Sequence, residues 1–446
     1  MKTTTAVLVL AFGLAVSVVR SGAADGEPGR GGVAAQDLRC EYLSNPLGID
    51  TPRPRFSWKL VDPGHTRGLK QTARQIVVEG DDPAAGATGR VVLWDSGRVE
   101  SSESVNVEYA GPPLTSNRNC HWKVRAWLSA KGENQERETG WSAEARFSMG
   151  LLDPSDWQGE WIRHPDADNI QHIWYRKTFT LDETPTVAFV HLCSIGYHEL
   201  YINGERIGTR VLTPEVTNLE KRAIYVTYDI TDKLRKGANV IGVWTGPGWA
   251  RADGSFGKGV WNQDSIFKCQ VHMPNGVRLH SDTTWKCKVS SSENLGLWKG
   301  GGEGEYGGEL IDARRHLADW HQPEHDDRDW ANAAVRQKSV LLSASMQEPD
   351  RKVETLHPVS VTEKDGLYTF DMGRNFTGWI ECDLRNGKAG DVVRFMTANS
   401  PGTTIEYKQE SHYIHDASGA GTFSHRFNYT AGRWITVAGL SYPPDL

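Results

Sequence analysis

The sequence predicts an all-β protein built of three consecutive β-sandwich domains. Three observations carry this reading. Short runs of alternating apolar and polar residues recur along the chain, separated by clusters of Gly, Pro, Asn and Asp. Glycine supplies 46 of the 446 residues, as turn-rich β-proteins require. No helical stretch of any size follows the N-terminal segment, and at the usual ~100–200 residues per domain the length allows about three.

The clearest run is Ile195 to Trp249. Tyr197–Ile202 alternates across a pleat, and Asn203-Gly204 is a two-residue hairpin signal because both positions tolerate positive φ. Ile207 and Val211-Leu212 resume the apolar pattern. Ile224–Ile230 and Val240–Trp244 are further strands, with turn chemistry at Asp229–Asp232 and Lys236–Asn239. Such alternation predicts sheets with one apolar and one wet face.

Strands are also expected at Gln75–Glu79, Val91–Trp94, Val105–Tyr109 and His121–Leu128, where Trp122 to Trp127 strictly alternates. Trp174–Phe179, Val187–Leu192, Phe267–Met273, Val277–His280 and Trp285–Val289 follow, the middle pair around Pro274-Asn-Gly276. A glycine-rich loop, Lys299–Gly308, carries Glu303 and Glu305. Beyond it, Leu367–Asp371, Ile380–Leu384, Val392–Met396, Arg426–Tyr429 and Arg433–Val437 read as strands, and Met372–Trp379 as a turn.

Met1–Ala24 reads as a secretory signal peptide. Lys2 is its positive end, Ala6–Val19 an apolar core too short to cross a bilayer, and Ser21–Ala24 the small residues for cleavage. This predicts a secreted or periplasmic protein with no membrane span. Residues 25–36 read as a flexible lead. The net charge of −6 offers no basic footprint for nucleic acid. The six cysteines show no CxxC pair and no dense framework, so free buried thiols and one or two bridges (Cys269 with Cys287) stand level.

The chemistry visible in the residues is sparse. There is no phosphate loop opening a helix, no GxSxG elbow and no HExxH. His316, His321, His325 and Asp326 could gather a metal, but a solvated connector is the stronger reading of that run. The 17 tryptophans fill sandwich cores first, and indole rings can also stack on pyranose faces. Acids beside aromatics in the Glu303–Asp312 loop suit sugar hydroxyls, and suit an ordinary covering loop as well.

Four blocks then carry a family resemblance. They are Leu38-Arg-Cys-Glu-Tyr-Leu with Asn45-Pro-Leu-Gly-Ile and Pro52-Arg-Pro-Arg-Phe-Ser-Trp58; Tyr197 to Trp249; Gly307-Gly-Glu-Leu-Ile-Asp-Ala-Arg314; and Phe370-Asp-Met-Gly-Arg-Asn-Phe-Thr-Gly-Trp379. In this order they resemble the N-terminal, non-catalytic half of bacterial α-L-rhamnosidases of glycoside hydrolase family 78. The resemblance implies a fibronectin type III-like module over 37–150, a galactose-binding-like jelly roll over 151–335 and a concanavalin-like sandwich over 345–446. Two departures stand out. Asn399 occupies the place of a usual acid, and the chain reaches Leu446 before any helix of the family's catalytic (α/α)6 barrel. Inverting hydrolysis needs two carboxyls about 6.5–9.5 Å apart. No domain here can be assigned that pair, so no catalytic residue is carried over.

The resemblance thus implies an exported carbohydrate-binding, accessory part of an α-L-rhamnosidase-type protein that acts on rhamnose-containing glycans, without hydrolysis by this chain alone. Its partners would be a rhamnose-containing oligo- or polysaccharide and a separate catalytic domain or chain. Calcium is the one cofactor suggested, and would need several oxygen ligands at about 2.3–2.6 Å. The candidate sugar contacts are Trp249, Trp261, Asp264, Tyr306, Glu309 and Asp312, all in or beside loops at strand ends. Two other readings stay open: a hydrolase with its site in the Glu303–Asp312 loop, and a structural or adhesion protein whose aromatics are packing.

Overall fold

The computed structural model describes residues 32–81, 89–132, 135–168, 171–253, 264–296, 298–299 and 306–444. The signal segment Met1–Ala24 lies outside them, as do Trp261, Glu303 and Glu305. The described residues form strands and four short 3-10 turns, the all-β class that the alternation implies. No helix among them is long and apolar enough to cross a membrane.

The first unit packs a three-stranded sheet (Ala34–Cys40, Arg55–Val61, Val107–Glu108) on a six-stranded one. Asn119–Ser129 crosses the larger sheet with every second residue buried. Trp122 therefore enters the core, 4.4 Å from Phe56 between ring centroids, while Trp127 faces outward beneath the Arg98 and Arg125 guanidiniums. A single strand thus makes one tryptophan core and the other a cation–π platform.

The second unit faces a seven-stranded sheet against the first half of a twelve-stranded sheet. Between them lies the largest core cluster, which includes Tyr175, Val190, Val243, Phe267, Trp285, Cys269 and Cys287. The strands that bear these two cysteines belong to different sheets, and all six cysteines are free thiols. Asn203 and Gly204 take φ of 49° and 94°, and Ile202 pairs with Glu205 across the expected hairpin.

Several expectations give way. Tyr197–Ile202 is buried at all six positions and so has no wet face. The reason is the run after Arg315, which is a cover and not a solvated connector. Trp320 and Trp330 join Trp174, Tyr201 and Trp244 in an aromatic layer over the outer side of the sheet. Trp174 and Trp320 stack at 5.6 Å. Lys236–Asn239 is only partly a turn, since strand Gly237–Gly246 begins inside it. Met372–Trp379 belongs largely to one long strand, Leu367–Gly378, whose register shifts at a bulge between Asp371 and Phe376.

The third unit is not a separate sheet. Strand Gly308–Asp312 pairs antiparallel with Lys286–Leu295 on one side and parallel with Glu410–Ile414 on the other. The twelve-stranded sheet therefore runs unbroken from the second sandwich into the third, and continues through Val392–Ala398, Thr430–Ala438 and Leu367–Gly378 to Ser360–Lys364. A two-stranded sheet, Glu381–Leu384 with Gly421–Ser424, covers part of its face, with Phe423 stacked on Phe395 at 4.3 Å and Tyr413 in the same cluster. Arg426–Tyr429 is not a strand but the loop between Gly421–Ser424 and Thr430–Ala438.

Candidate functional site

A cleft of about 1260 Å3 opens where the second and third units meet. Its floor is the apolar face of the third unit: Phe370, Met372, Phe376, Phe395, Ile435 and Val437. Residues 350–358, which belong to none of the strands, also line it. Lys352 lies 4.9 Å over the Trp379 ring and 3.4 Å from Glu381, and Glu354 is ion-paired with Arg374. At the end nearest the second unit the cleft is lined by Tyr197, Leu212, Val216 and Trp249, with Asp350 and Tyr429 beside them.

Local backbone explains that end. Gly196 has φ of 95° and turns the chain between Phe189–Ile195 and Tyr197–Ile202, passing from one sheet to the other. Gly248, at φ 46°, opens the 3-10 turn that carries Trp249, and a Cβ there would stand 2.4 Å from the Tyr197 ring. The turn therefore rests directly on Tyr197. Burial raises the Tyr197 phenol pKa, with Tyr429 and Asp350 adding to it. Tyr429 is raised by burial, then by Tyr306 and Asp350. These groups lie within electrostatic reach of one another, and offer ring faces, phenol hydroxyls and a carboxylate, the donor set that suits a polyhydroxylated ligand.

Of the six residues expected from sequence, the structure brings two to this end. Trp249 lines the cleft, and Tyr306 stands behind Tyr429 with its ring edge-on to Tyr407 at 5.3 Å. Trp261 lies outside the described residues. Asp264 stands apart, just before Ile266–Met273 of the seven-stranded sheet, where it meets Arg336 at 2.8 Å and Arg163 at 3.5 Å. Asp312 caps a short turn and binds Arg314 at 2.8 Å, which holds its carboxyl below the usual range. Glu309 is fully buried, and its two oxygens accept the backbone N–H groups of Phe427 at 2.6 Å and Arg426 at 2.7 Å. Burial raises this carboxyl to about 7 against the lowering effect of those donors.

The sequence reading missed Tyr197, Asp350, Trp379 and Tyr429. Tyr197 read only as the first residue of a strand. Trp379 followed a glycine at the end of a motif read as a turn, and a lone tryptophan at such a place was the available signal. The histidines considered for metal pack instead on rings: His316 edge-on to Trp174, His321 stacked on Tyr201, and His325 edge-on to Trp330. Among the described residues no group of three or more His, Cys, Asp or Glu is placed to hold a metal ion.

These features define a class: a chain of joined β-sandwiches with an aromatic cleft at a joint. Comparison with known proteins then gives the family. Residues 35–153 match the model of the Rha78A-like N-terminal immunoglobulin domain, 183–354 the α-L-rhamnosidase N-terminal domain, and 361–445 the bacterial α-L-rhamnosidase concanavalin-like domain. The domains of this chain are homologous to the N-terminal domains of bacterial α-L-rhamnosidases of glycoside hydrolase family 78. An α-L-rhamnosidase of Formosa agariphila is 28% identical over 90% of this chain and 46% of its own length. The solved α-L-rhamnosidase of Dictyoglumus thermophilum superposes with a TM-score of 0.79 at 30% identity, over 93% of this chain and 48% of that one. That of Aspergillus terreus gives the same TM-score of 0.79 at 26% identity, over 93% and 48%. The chain thus spans about half the length of the relatives it matches.

Proposed function

We propose that this chain is the exported, glycan-recognising accessory part of an α-L-rhamnosidase-type protein, and that it binds rhamnose-containing oligo- or polysaccharides without hydrolysing them by itself. The observation that carries the reading is the joint cleft, with Trp249, Tyr197, Tyr429 and Asp350 gathered at one end. Trp249 offers a stacking face, while the phenols and Asp350 exchange hydrogen bonds with sugar hydroxyls. The relatives' names supply the sugar class. Glu309 and Asp312, at the end of the loop where a hydrolase site would lie, are both engaged by donors of the protein itself. Within this reading, units over about residues 37–150, 151–335 and 345–446 act as spacer, jelly roll and concanavalin-like partner, and the catalytic carboxyls come from a separate domain or chain.

Titration calorimetry with L-rhamnose and rhamnosyl oligosaccharides, with and without calcium, tests this. Heats that saturate and vanish in Trp249→Ala are expected. Absence of binding under both conditions, or turnover of a chromogenic rhamnoside by the purified chain, would overturn it.

A further inference from the structure

At the joint between the second and third sandwiches, one buried carboxyl ties the shared strand to a loop of the third unit. Glu309 sits on the strand that the two units share, opposite Asn294 of Lys286–Leu295. Its neighbour must be glycine: a Cβ at Gly308 would lie 2.0 Å from the Glu410 carbonyl oxygen. The Glu309 N–H donates to Ser411 Oγ at 3.1 Å, and Ser411 Oγ meets His425 Nε2 at 2.9 Å. His425 Nδ1 accepts the Ile380 N–H at 3.0 Å, so the ring is neutral and donates from Nε2 to the hydroxyl. The Glu309 carboxylate then takes the main chain of Arg426 and Phe427, as described.

This grip has a consequence for the cleft. The Phe427 ring enters the second unit, edge-on to His172 at 5.0 Å and to Trp244 at 5.7 Å. A Cβ on Gly246 would meet that ring at 2.4 Å. The Arg426 guanidinium lies 5.3 Å over Trp244 and 3.5 Å from Glu199. Two residues after Phe427 stands Tyr429, a wall of the cleft.

We propose that Glu309 is a positioning residue of the glycan site. By holding the main chain of Arg426 and Phe427 it sets Tyr429 opposite Tyr197 and Trp249, so the cleft is complete only while the two sandwiches are docked. The proposal rests on the glycan-binding reading above.

The groups that face this carboxyl make the latch sensitive to pH. Arg426 is the nearby cation, with Glu199 and Tyr201 behind it. His172 of the jelly roll and His425 of the loop are depressed by burial to about 4 and about 3, and His316 of the cover is depressed by burial and by Arg426. All three stay neutral near pH 7. The carboxyl holds its proton more tightly docked, at about 7, than in an opened, hydrated joint. Rising pH therefore favours opening until that value is passed.

The test combines exchange with binding. Hydrogen–deuterium exchange of the wild-type chain and Glu309→Gln is read at residues 425–429 and 171–181, and affinity for a rhamnosyl oligosaccharide is followed from about pH 5.5 to about 8.5. In Glu309→Gln the carboxamide nitrogen faces an N–H donor. Exchange at 425–429 is expected to quicken while 171–181 stays protected, affinity to fall about tenfold, and the wild-type loss of affinity with rising pH to disappear. Ser411→Ala, which removes the hydroxyl that accepts from both the Glu309 N–H and His425 Nε2 but leaves the carboxyl in place, should move exchange and affinity the same way by less, and serves if the first variant does not fold. Wild-type binding with unchanged affinity in both variants would overturn the latch. Failure of the wild-type chain to bind would overturn the glycan reading itself.

Discussion

The backbone N–H of Phe427 donates to a carboxylate oxygen of Glu309 at 2.6 Å, across the joint between the second and third sandwiches. The neighbouring Arg426 N–H takes the other oxygen at 2.7 Å. Glu309→Ala would leave two buried donors without acceptors, at about 1–3 kcal/mol each. A loss of about 2–6 kcal/mol is expected, read as an earlier denaturant midpoint. A shift within error would mean that water replaces the carboxylate freely and that the joint is looser than drawn.

The same carboxyl opposes the histidines in its effect on pH stability. Glu309 is raised to about 7, so its contribution is full below the unfolded carboxyl value and declines as pH rises through about 7. His172, His191, His198 and His425 are depressed by burial to about 4, 3, 3 and 3. Their contribution is present above the unfolded value of about 6.5 and declines as pH falls toward those values. At about pH 5.5 these four histidines and Glu309 together account for a net uptake of about three protons on unfolding, to which His164, His272, His316 and His321, also lowered by burial, add. The pH dependence of the unfolding free energy measures it directly. Glu309→Gln should raise the uptake by about one; an unchanged slope would place Glu309's titration in the ordinary range.

Two glycines sit at close contacts across the joint. A methyl at Gly308 would meet the Glu410 carbonyl at 2.0 Å and Ser411 Oγ at 2.5 Å, while one at Gly246 would meet the Phe427 ring at 2.4 Å. Main chain cannot yield as a ring can. Gly308→Ala is therefore expected to cost about 3 kcal/mol or more and Gly246→Ala about 1–3. Thermal unfolding of both variants checks the order, and the reverse order would contradict the geometry.

What the sequence made legible was local. Asn203-Gly204 fixed a hairpin because φ preference needs only two residues, and the alternation from Trp122 to Trp127 sorted core from surface within one strand. What it hid was distant. The donors that occupy Glu309 lie 117 and 118 positions away, so nothing near Gly307-Gly-Glu309 announced a buried carboxyl. Tyr197–Ile202 looked half-wet because its cover, with Trp320 and Trp330, comes more than a hundred residues later. Trp249 was legible as a glycine-flanked aromatic after a strand, whereas Tyr429 enters the cleft only through the loop that Glu309 holds.

Trp249 and Asp264 separate the cleft from the rest of the surface. Trp249 lines the aromatic end beside Tyr197. Asp264 is spent on Arg336 and Arg163, next to the other sheet of the second unit. If the ligand sits in the joint, Trp249→Ala removes a ring face of its wall, and such a central aromatic contact is typically worth about 2 kcal/mol or more, a loss of roughly thirtyfold. Asp264→Asn weakens only two partly exposed ion pairs, each worth about 0–1 kcal/mol to the fold, and should leave affinity within about twofold. Calorimetry on the two variants with one rhamnosyl oligosaccharide decides between them. Equal losses would mean a general destabilisation, and a loss confined to Asp264→Asn would move the site to the far sheet. Only the expected pattern, affinity lost with Trp249 and kept without Asp264's charge, locates recognition at the joint.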